Sequence, residues 1–396
     1  MSIRRYDAVV VGGGPAGATA AQELAEAGRS VLLLDRGGRV KPCGGAVPPQ
    51  LLVDFDIPAS ILVNRVDTAR MISPTGTCVD IPVGEGFVGM VDRGQFDEWL
   101  RCRAETAGAE RAAGTFTRFE ERAEGGVTVH YRPSGASADT SVSVHASFLV
   151  GADGATSKVA RQALPEEKGK YVYAYHEIVK SPAVASDDFE PERADVYYEG
   201  ALSPDFYAWV FPHGETTSVG TGTAERGFDM PAAMTALRAR LGLDQAETIR
   251  KEGAPIPLSQ RKRWDDGRAV ILAGDAAGVV APSSGEGIFY AMTSGRFVAH
   301  AVGEALETGN PARLKRARRR FNKEHGAVFF VLGVMQRFWY ADDGRRERFV
   351  AICRDPDVQR LTFEGYKRKK LVRAKPLAHA RIFFKNVGHL TGLVHA

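Results

Sequence analysis

The chain has 396 residues, with 52 basic against 48 acidic side chains and a formal net charge of +4. That length favours two joined domains with a large core, and the near balance of charge leaves no chain-wide field that would make nucleic acid the main partner. Cys43, Cys78, Cys102 and Cys353 are widely scattered, which indicates neither a CxxC metal site nor a dense disulfide framework, so reduced cytoplasmic thiols and no metal are expected.

Arg4 and Arg5 precede an apolar segment that runs straight into glycines a binding site would need, so no cleaved signal peptide is expected. The segment Tyr6 to Val11 reads as a buried parallel strand, Gly14 to Gly28 as an alanine-rich helix and Ser30 to Leu34 as a second strand, together a βαβ unit. From Met71 to Val91 short apolar stretches alternate with Pro74, Gly76, Pro82, Gly84 and Gly86, a pattern of strands and turns leaving that unit. A helix is predicted from near Asp92, its N-cap, with Phe96, Trp99 and Leu100 at helical spacing. Strands follow over Val127 to Tyr131 and Val142 to Val144, separated by a turn region from Pro133 to Ala138, and then a buried strand over Phe148 to Val150. Tyr171 to Gly222 is strand-rich, Met230 to Leu241 reads as helix, and Ala269 to Ala273 as a buried strand feeding a glycine-rich turn and a helix through Phe297. From Pro311 onward the pattern is helical and in places strongly basic. The longest apolar run, Gly326 to Met335, is too short to cross a bilayer, which takes about 20 residues, so a soluble or peripheral protein is expected.

Three segments carry the chemistry. Gly12-Gly-Gly14-Pro15-Ala16-Gly17 fits GxGxxG between a strand and a helix, with Asp35 closing the second strand. In that arrangement Gly12 permits the tight turn, Gly14 lets the backbone approach a pyrophosphate, Gly17 lets helix and strand pack closely, and Asp35 is placed to accept from a ribose hydroxyl. Gly151-Ala-Asp153-Gly154 follows a second strand, and Gly274-Asp275-Ala-Ala-Gly278, running on through Pro282 to Gly285-Glu-Gly287, follows a third. Either of the latter two alone would pass for a structural turn.

In this order the three segments resemble the glutathione-reductase-type flavoproteins of the aromatic-hydroxylase class, and the resemblance implies FAD, with Asp275 supplying a carboxylate to its ribityl chain. More narrowly, the chain is similar over nearly its whole length to the geranylgeranyl reductase family. Lys41-Pro-Cys43-Gly44-Gly45 resembles that family's cysteine and glycine loop beside the flavin, and Tyr207-Ala-Trp209-Val-Phe211-Pro212, followed by Gly220-Thr-Gly222, resembles its substrate-domain signature. Within the family, Lys41 to Gln50 and the basic tail look most like the photosynthetic branch, which reduces the geranylgeranyl chain of chlorophyll or bacteriochlorophyll to phytyl.

The resemblance implies an α/β fold, in detail α+β with two domains: a glutathione-reductase-type Rossmann domain (1–70, 91–165 and 265–310), an inserted antiparallel β-rich substrate domain (71–90 and 166–264) and a helical basic C-terminal region (311–396). It assigns cofactor contacts to Gly12, Gly14, Pro15, Ala16, Gly17, Asp35, Arg36, Cys43, Gly44, Gly45, Ala46, Arg93, Asp153, Gly154, Gly274, Asp275, Pro282, Gly285, Gly287 and Ile288, and catalytic places to Cys43, Tyr207 and Trp209. It implies NADPH as reductant of the FAD and a prenyl substrate, either a free diphosphate or bound to a pigment. On spacing alone, Tyr207, Trp209 and Phe211 share one face of a strand and are either a core stripe or the lining of an apolar tunnel, a choice that the resemblance turns toward the tunnel. Cys43 is either a small residue in a tight turn or a functional thiol that donates a proton. His176 and His213 show no partner in the sequence and receive no role. The basic stretches Arg313 to Arg320 and Lys367 to Lys375, near Phe329, Phe330, Phe338, Trp339, Phe383 and Phe384, are either solvated helix faces or a membrane-surface contact. A flavin monooxygenase, an archaeal-type lipid prenyl reductase and an FAD-containing binding or assembly factor are the competing readings.

Overall fold

The computed structural model describes residues 3–360 apart from 39, 85 and 168, together with 365 and 369. It divides into two compact units, the first Met1–Lys41, Arg93–Tyr171 and Pro255–Gly326, the second Pro42–Asp92, Val172–Ala254 and Ala327–Ala396.

The first unit is built on a sheet whose central strands are apolar on both faces, as a sheet covered on both sides requires. Arg5–Val11 pairs in parallel with Val31–Asp35 on one side and Val142–Gly151 on the other. Val31–Asp35 pairs onward with Glu110–Glu121, and Val142–Gly151 with Val270–Leu272. An antiparallel strand, Val127–Pro133, joins the far halves of Glu110–Glu121 and Val142–Gly151. Val142 to Val150, predicted as two strands, forms one continuous strand because its outer half pairs with Val127–Pro133 and its inner half with Arg5–Val11. The helices Pro15–Glu26 and Ile288–Thr308 approach so closely that a Cβ on Gly295 would overlap the carbonyl oxygen of Ala16.

The second unit carries a seven-stranded sheet, ordered from its edge as Thr248–Pro257, Tyr171–Lys180, Thr216–Thr223, Ala208–His213, Arg193–Tyr197, Thr68–Ile72 and Cys78–Pro82. On one face the helix Met230–Arg240 sets Ala233, Met234 and Leu237 against Val179, Ala208, Val210 and Val219. Asp229 caps that helix by accepting from the backbone N–H of Ala232 at 3.0 Å. A small sheet of Ala46–Val47, Val88–Met90 and Asn64–Val66 completes the unit.

The contacts divide the chain differently from the expected domains. Residues 42–70 group with the second unit, because Ala46–Val47 and Asn64–Val66 pair with Val88–Met90, and Thr68–Ile72 joins the large sheet. No separate C-terminal region is found among the described residues. The helix Lys315–Trp339 belongs to the first unit up to Gly326, where Phe321 packs on Trp264 and Tyr290. Beyond that point Trp339, with Tyr340, joins Tyr198 and Val350 in a core of the second unit.

Candidate functional site

In the first unit, sheet pairing brings the three glycine-bearing segments together. Val11 lies opposite Gly151, Gly151 lies opposite Leu272, and the N–H of Ala273 donates to the Gly151 carbonyl at 2.9 Å. The turns that follow these strands therefore emerge side by side, at the carboxyl ends of parallel strands, where ligands of such sheets bind.

The glycines are divided between packing and open space. Gly12 sits at φ +105° and a Cβ there would overlap the Ala152 carbonyl, while a Cβ on Gly17 would overlap the carbonyl oxygen of Gly12. At Gly14 nothing lies within 4 Å of the Cβ position. Gly14 is also the N-cap of Pro15–Glu26, with no side-chain cap and no acidic residue in the first turn, so the helix start offers N–H groups and a positive dipole end to an anion. Asp35 faces the loop, its carboxylate accepting from the N–H of Gly13 at 2.7 Å and of Gly37 at 2.9 Å. Arg101, which the sequence reading did not single out, donates to the Gly13 carbonyl at 3.1 Å. Arg36 is exposed, and Arg93 is buried in a bidentate pair with Asp97 at 2.7 and 2.9 Å.

Asp153 serves the start of the helix Lys158–Ala163. It accepts from the Ser157 hydroxyl and from the N–H groups of Lys158 at 2.7 Å and Val159 at 3.3 Å, and burial still pushes its carboxyl above the usual range. Gly154, beside it, takes φ +82°. In the third segment Gly274 takes φ +61° against the Ala16 methyl, and its N–H donates to the Ser294 hydroxyl at 2.9 Å. The Asp275 carboxylate is 6% exposed and is ion-paired with Lys41, whose side chain is 41% exposed. Gly287 lies with its Cβ position 3.8 Å from Asp275 Oδ1. Pro282 and Ile288 are buried and Gly285 turns at φ +63°. An uncapped helix start, open space at Gly14, and carboxylates at Asp35 and Asp275 suit the pyrophosphate and hydroxyls of a dinucleotide such as FAD.

In the second unit the Cys43 loop lies on the aromatic strand. A Cβ on Gly44 would come within 3.0 Å of the Phe211 ring and 3.9 Å of Trp209 Nε1, and one on Gly45 would overlap His213 Nε2. Gly45, at φ +70°, donates its N–H toward Cys43 Sγ at 3.4 Å, its carbonyl accepts from Val91 N–H at 2.9 Å, and Ala46 pairs with Met90. These contacts bring Cys43 and the aromatic row into one neighbourhood. Tyr207 stands just before the strand, its ring 6.0 Å from that of Trp209, and the Trp209 and Phe211 rings on the strand are 6.1 Å apart. The alternate residues Ala208 and Val210 face the helix-covered core, so the aromatic row occupies the opposite face. Burial pushes the His213 imidazole pKa down, and its Nδ1 donates to the Phe211 carbonyl at 2.9 Å.

A family model described as FAD binding domain matches residues 79–325, and one described as NAD(P)-binding Rossmann-like domain matches residues 10–67. The chain is 55% identical over 390 residues to a geranylgeranyl diphosphate reductase of Rhodobacter capsulatus, covering 98% of each chain. It is 38% identical to a chloroplastic geranylgeranyl diphosphate reductase of Oryza sativa, covering 98% of this chain and 86% of that one. A solved geranylgeranyl bacteriochlorophyll reductase-like structure from Thermoplasma acidophilum shares the fold, with a TM-score of 0.80 at 22% identity over 99% of this chain and all of the other. The convergent glycine turns, the cysteine loop and the aromatic strand are thus set in a chain that matches these relatives almost end to end, and the chain belongs to the geranylgeranyl diphosphate reductase family of FAD-binding oxidoreductases.

Proposed function

We propose that the protein saturates isolated double bonds of a geranylgeranyl chain, free as the diphosphate or esterified to a pigment, with NADPH as the source of electrons. The observation that carries this reading is the 55% identity, over 98% of both chains, to the Rhodobacter capsulatus geranylgeranyl diphosphate reductase. FAD, when bound, supplies the two-electron reduction. The cradle of Gly14, Asp35 and Asp275 would hold it through pyrophosphate and hydroxyl groups.

An isolated alkene offers no carbonyl to polarise, so the protein's own tasks are to align the chain, exclude water and provide a proton. The row Tyr207, Trp209 and Phe211 is the apolar wall assigned to alignment. The proton is assigned to the Cys43 thiol, and the Gly45 N–H aimed at Sγ is suited to the charge left when that proton departs. The C-terminal part of the chain is assigned to peripheral contact with a membrane surface; among the described residues no helix is long and apolar enough to cross one.

The test combines stopped-flow reduction of the bound FAD by NADPH with single-turnover product analysis by mass spectrometry, using geranylgeranyl diphosphate and the geranylgeranyl-esterified pigment in turn. Partially saturated products should precede the phytyl product. Cys43→Ser should keep the rate of FAD reduction and slow alkene reduction by about a hundredfold, within the range of a lost general acid. Oxygen consumption coupled to a hydroxylated product, with no saturated chain from either substrate, would overturn the reductase reading.

A further inference from the structure

The signature glycine Gly220 lies opposite His176 on one neighbouring strand and opposite Trp209 on the other. A Cβ at Gly220 would fall 2.6 Å from the His176 Cβ and would overlap the Trp209 ring. The missing side chain lets imidazole and indole reach across the central strand, with ring centroids 6.3 Å apart. Two residues along that strand, on the same face, stands Ser218, which is wholly buried.

Hydrogen-bond chemistry fixes the direction of the link. The Trp209 indole N–H can only donate, and it donates to Ser218 Oγ at 3.1 Å. The Glu252 carboxylate can only accept, so His176 Nε2 carries a ring proton and donates it to Glu252 Oε2 at 3.0 Å. In the neutral imidazole Nδ1 is then the acceptor and takes the proton of the Ser218 hydroxyl, 3.0 Å away. Glu252 is ion-paired in turn with Arg250 at 3.3 Å, and Arg250 with Asp92 at 3.6 Å. The hydrogen bond from His176 is the largest influence holding the Glu252 carboxyl below the usual range, in keeping with donation in that direction. The line runs across four adjacent strands, from a partly exposed ion pair to the indole beside the Cys43 loop.

We propose that His176, acting through Ser218, is a positioning residue that fixes the Trp209 indole and so sets the register at which the prenyl chain is held. This rests on the reading that the aromatic row bounds the substrate. A ring that merely filled space or partnered Glu252 would not need the contact to Ser218, and two substitutions separate these roles. In His176→Asn the amide oxygen stands near the place of Nδ1 and can accept from Ser218 while Glu252 loses its donor. In His176→Gln the longer amide reaches Glu252 and leaves Ser218 without its acceptor.

The test uses the FAD-loaded full chain with indole-¹⁵N tryptophan, comparing the parent with His176→Asn, His176→Gln and Ser218→Ala. Bound FAD per chain, read from absorbance, should be equal in all four. The Trp209 indole N–H resonance, identified by its loss in Trp209→Phe, should move in Gln and Ala and stay near the parent in Asn. With geranylgeranyl diphosphate, Gln and Ala should raise the share of partially saturated products about threefold, a modest case of misplacement beside a reacting group, and Asn should restore the parent pattern. Equal resonance shifts in Asn and Gln, or a perturbed Asn beside an unperturbed Gln, would overturn the link through Ser218. Moved resonances with an unchanged product pattern would overturn the control of register. A parent that reduces no prenyl substrate would instead refute the proposed function, and the resonances would still decide whether His176 orients the indole.

Discussion

Glycine carries opposite meanings at Gly14 and Gly17, three residues apart. At Gly14 the backbone has an ordinary φ of −77° and the Cβ position is open, so a side chain there costs the empty fold little and occupies space a pyrophosphate would need. At Gly17 a side chain would overlap the Gly12 carbonyl, a cost to the fold itself. Gly14→Val is therefore expected to keep the parent's thermal midpoint without FAD and to lose about a hundredfold in FAD affinity, near 2.7 kcal/mol. Gly17→Ala should lower the midpoint of the empty protein by the equivalent of about 1–3 kcal/mol. Calorimetry of both apoproteins with FAD titration makes the comparison. Tight FAD binding by Gly14→Val would remove that loop from the cofactor site. The spacing of the motif already set these two glycines apart, and the structure shows the close packing expected at Gly17 and open space at Gly14, where a pyrophosphate is proposed. Asp153 was less legible. A carboxylate after a strand reads equally well as a ligand contact or as the starter of the next helix, and its bonds to Ser157, Lys158 and Val159 show the second use.

At the scale of elements, strands with apolar runs were plain in the sequence, whereas Glu110–Glu121 was not. Its charged residues Glu110, Arg118, Glu120 and Glu121 face solvent, and its two aromatic residues, Phe116 and Phe119, mark the buried side. The aromatic strand was legible in period but not in purpose, since period two says that Tyr207, Trp209 and Phe211 share a face without saying which. The helix packed on Ala208 and Val210 decides it. Gly220 then belongs to this strand pair as the floor under the indole, and Gly220→Ala should displace Trp209, with a stability loss of about 1–3 kcal/mol and a changed ratio of partially saturated products. An unaltered ratio would free the indole from that constraint. On the helix Lys315–Trp339 the predicted aromatic cluster separates by burial. Phe329 and Trp339 are core, whereas Phe330 is 73% and Val334 52% exposed, one helical turn apart. Of the basic stretch from Lys367 to Lys375, all but Lys369, and with it Phe383 and Phe384, lie outside the described residues. If the helix touches a membrane, Phe330→Ser with Val334→Ser should reduce sedimentation with anionic vesicles. Unchanged sedimentation would leave the pair as ordinary exposed apolar residues.

Over the whole molecule, the turns near residues 12, 151 and 274, proposed above to cradle the cofactor, are brought together by sheet pairing alone. The motifs made this convergence readable in advance. The boundary between units was harder to read because a short chain segment, Asn64–Val66, can declare its partner only through Val88–Met90, a pairing with no local signature. The Lys41–Asp275 ion pair was equally hidden, since 234 residues separate its ends. That pair bears on how FAD stabilises the fold. A ligand that binds the native state at 100 times its dissociation constant adds about 2.7 kcal/mol to stability. A well-made hydrogen bond to the Asp275 carboxylate is worth about 1.5–3 kcal/mol, which is tenfold or more in affinity. At the same FAD concentration Asp275→Ala would then stand near 10 times its dissociation constant and gain only about 1.4 kcal/mol. Its FAD-induced rise in thermal midpoint should be roughly half the parent's. The midpoint without FAD separates this from damage to the fold. The Lys41 end is half exposed, so loss of the ion pair alone should cost at most about 1 kcal/mol. Hydrogen exchange gives the spatial readout: in the parent, FAD should slow exchange in the turns near residues 12, 151 and 274 together, and in Asp275→Ala the slowing should be weakest at the third. An FAD-induced midpoint rise equal to the parent's would show that the Asp275 carboxylate pairs with Lys41 and contributes nothing to holding the cofactor.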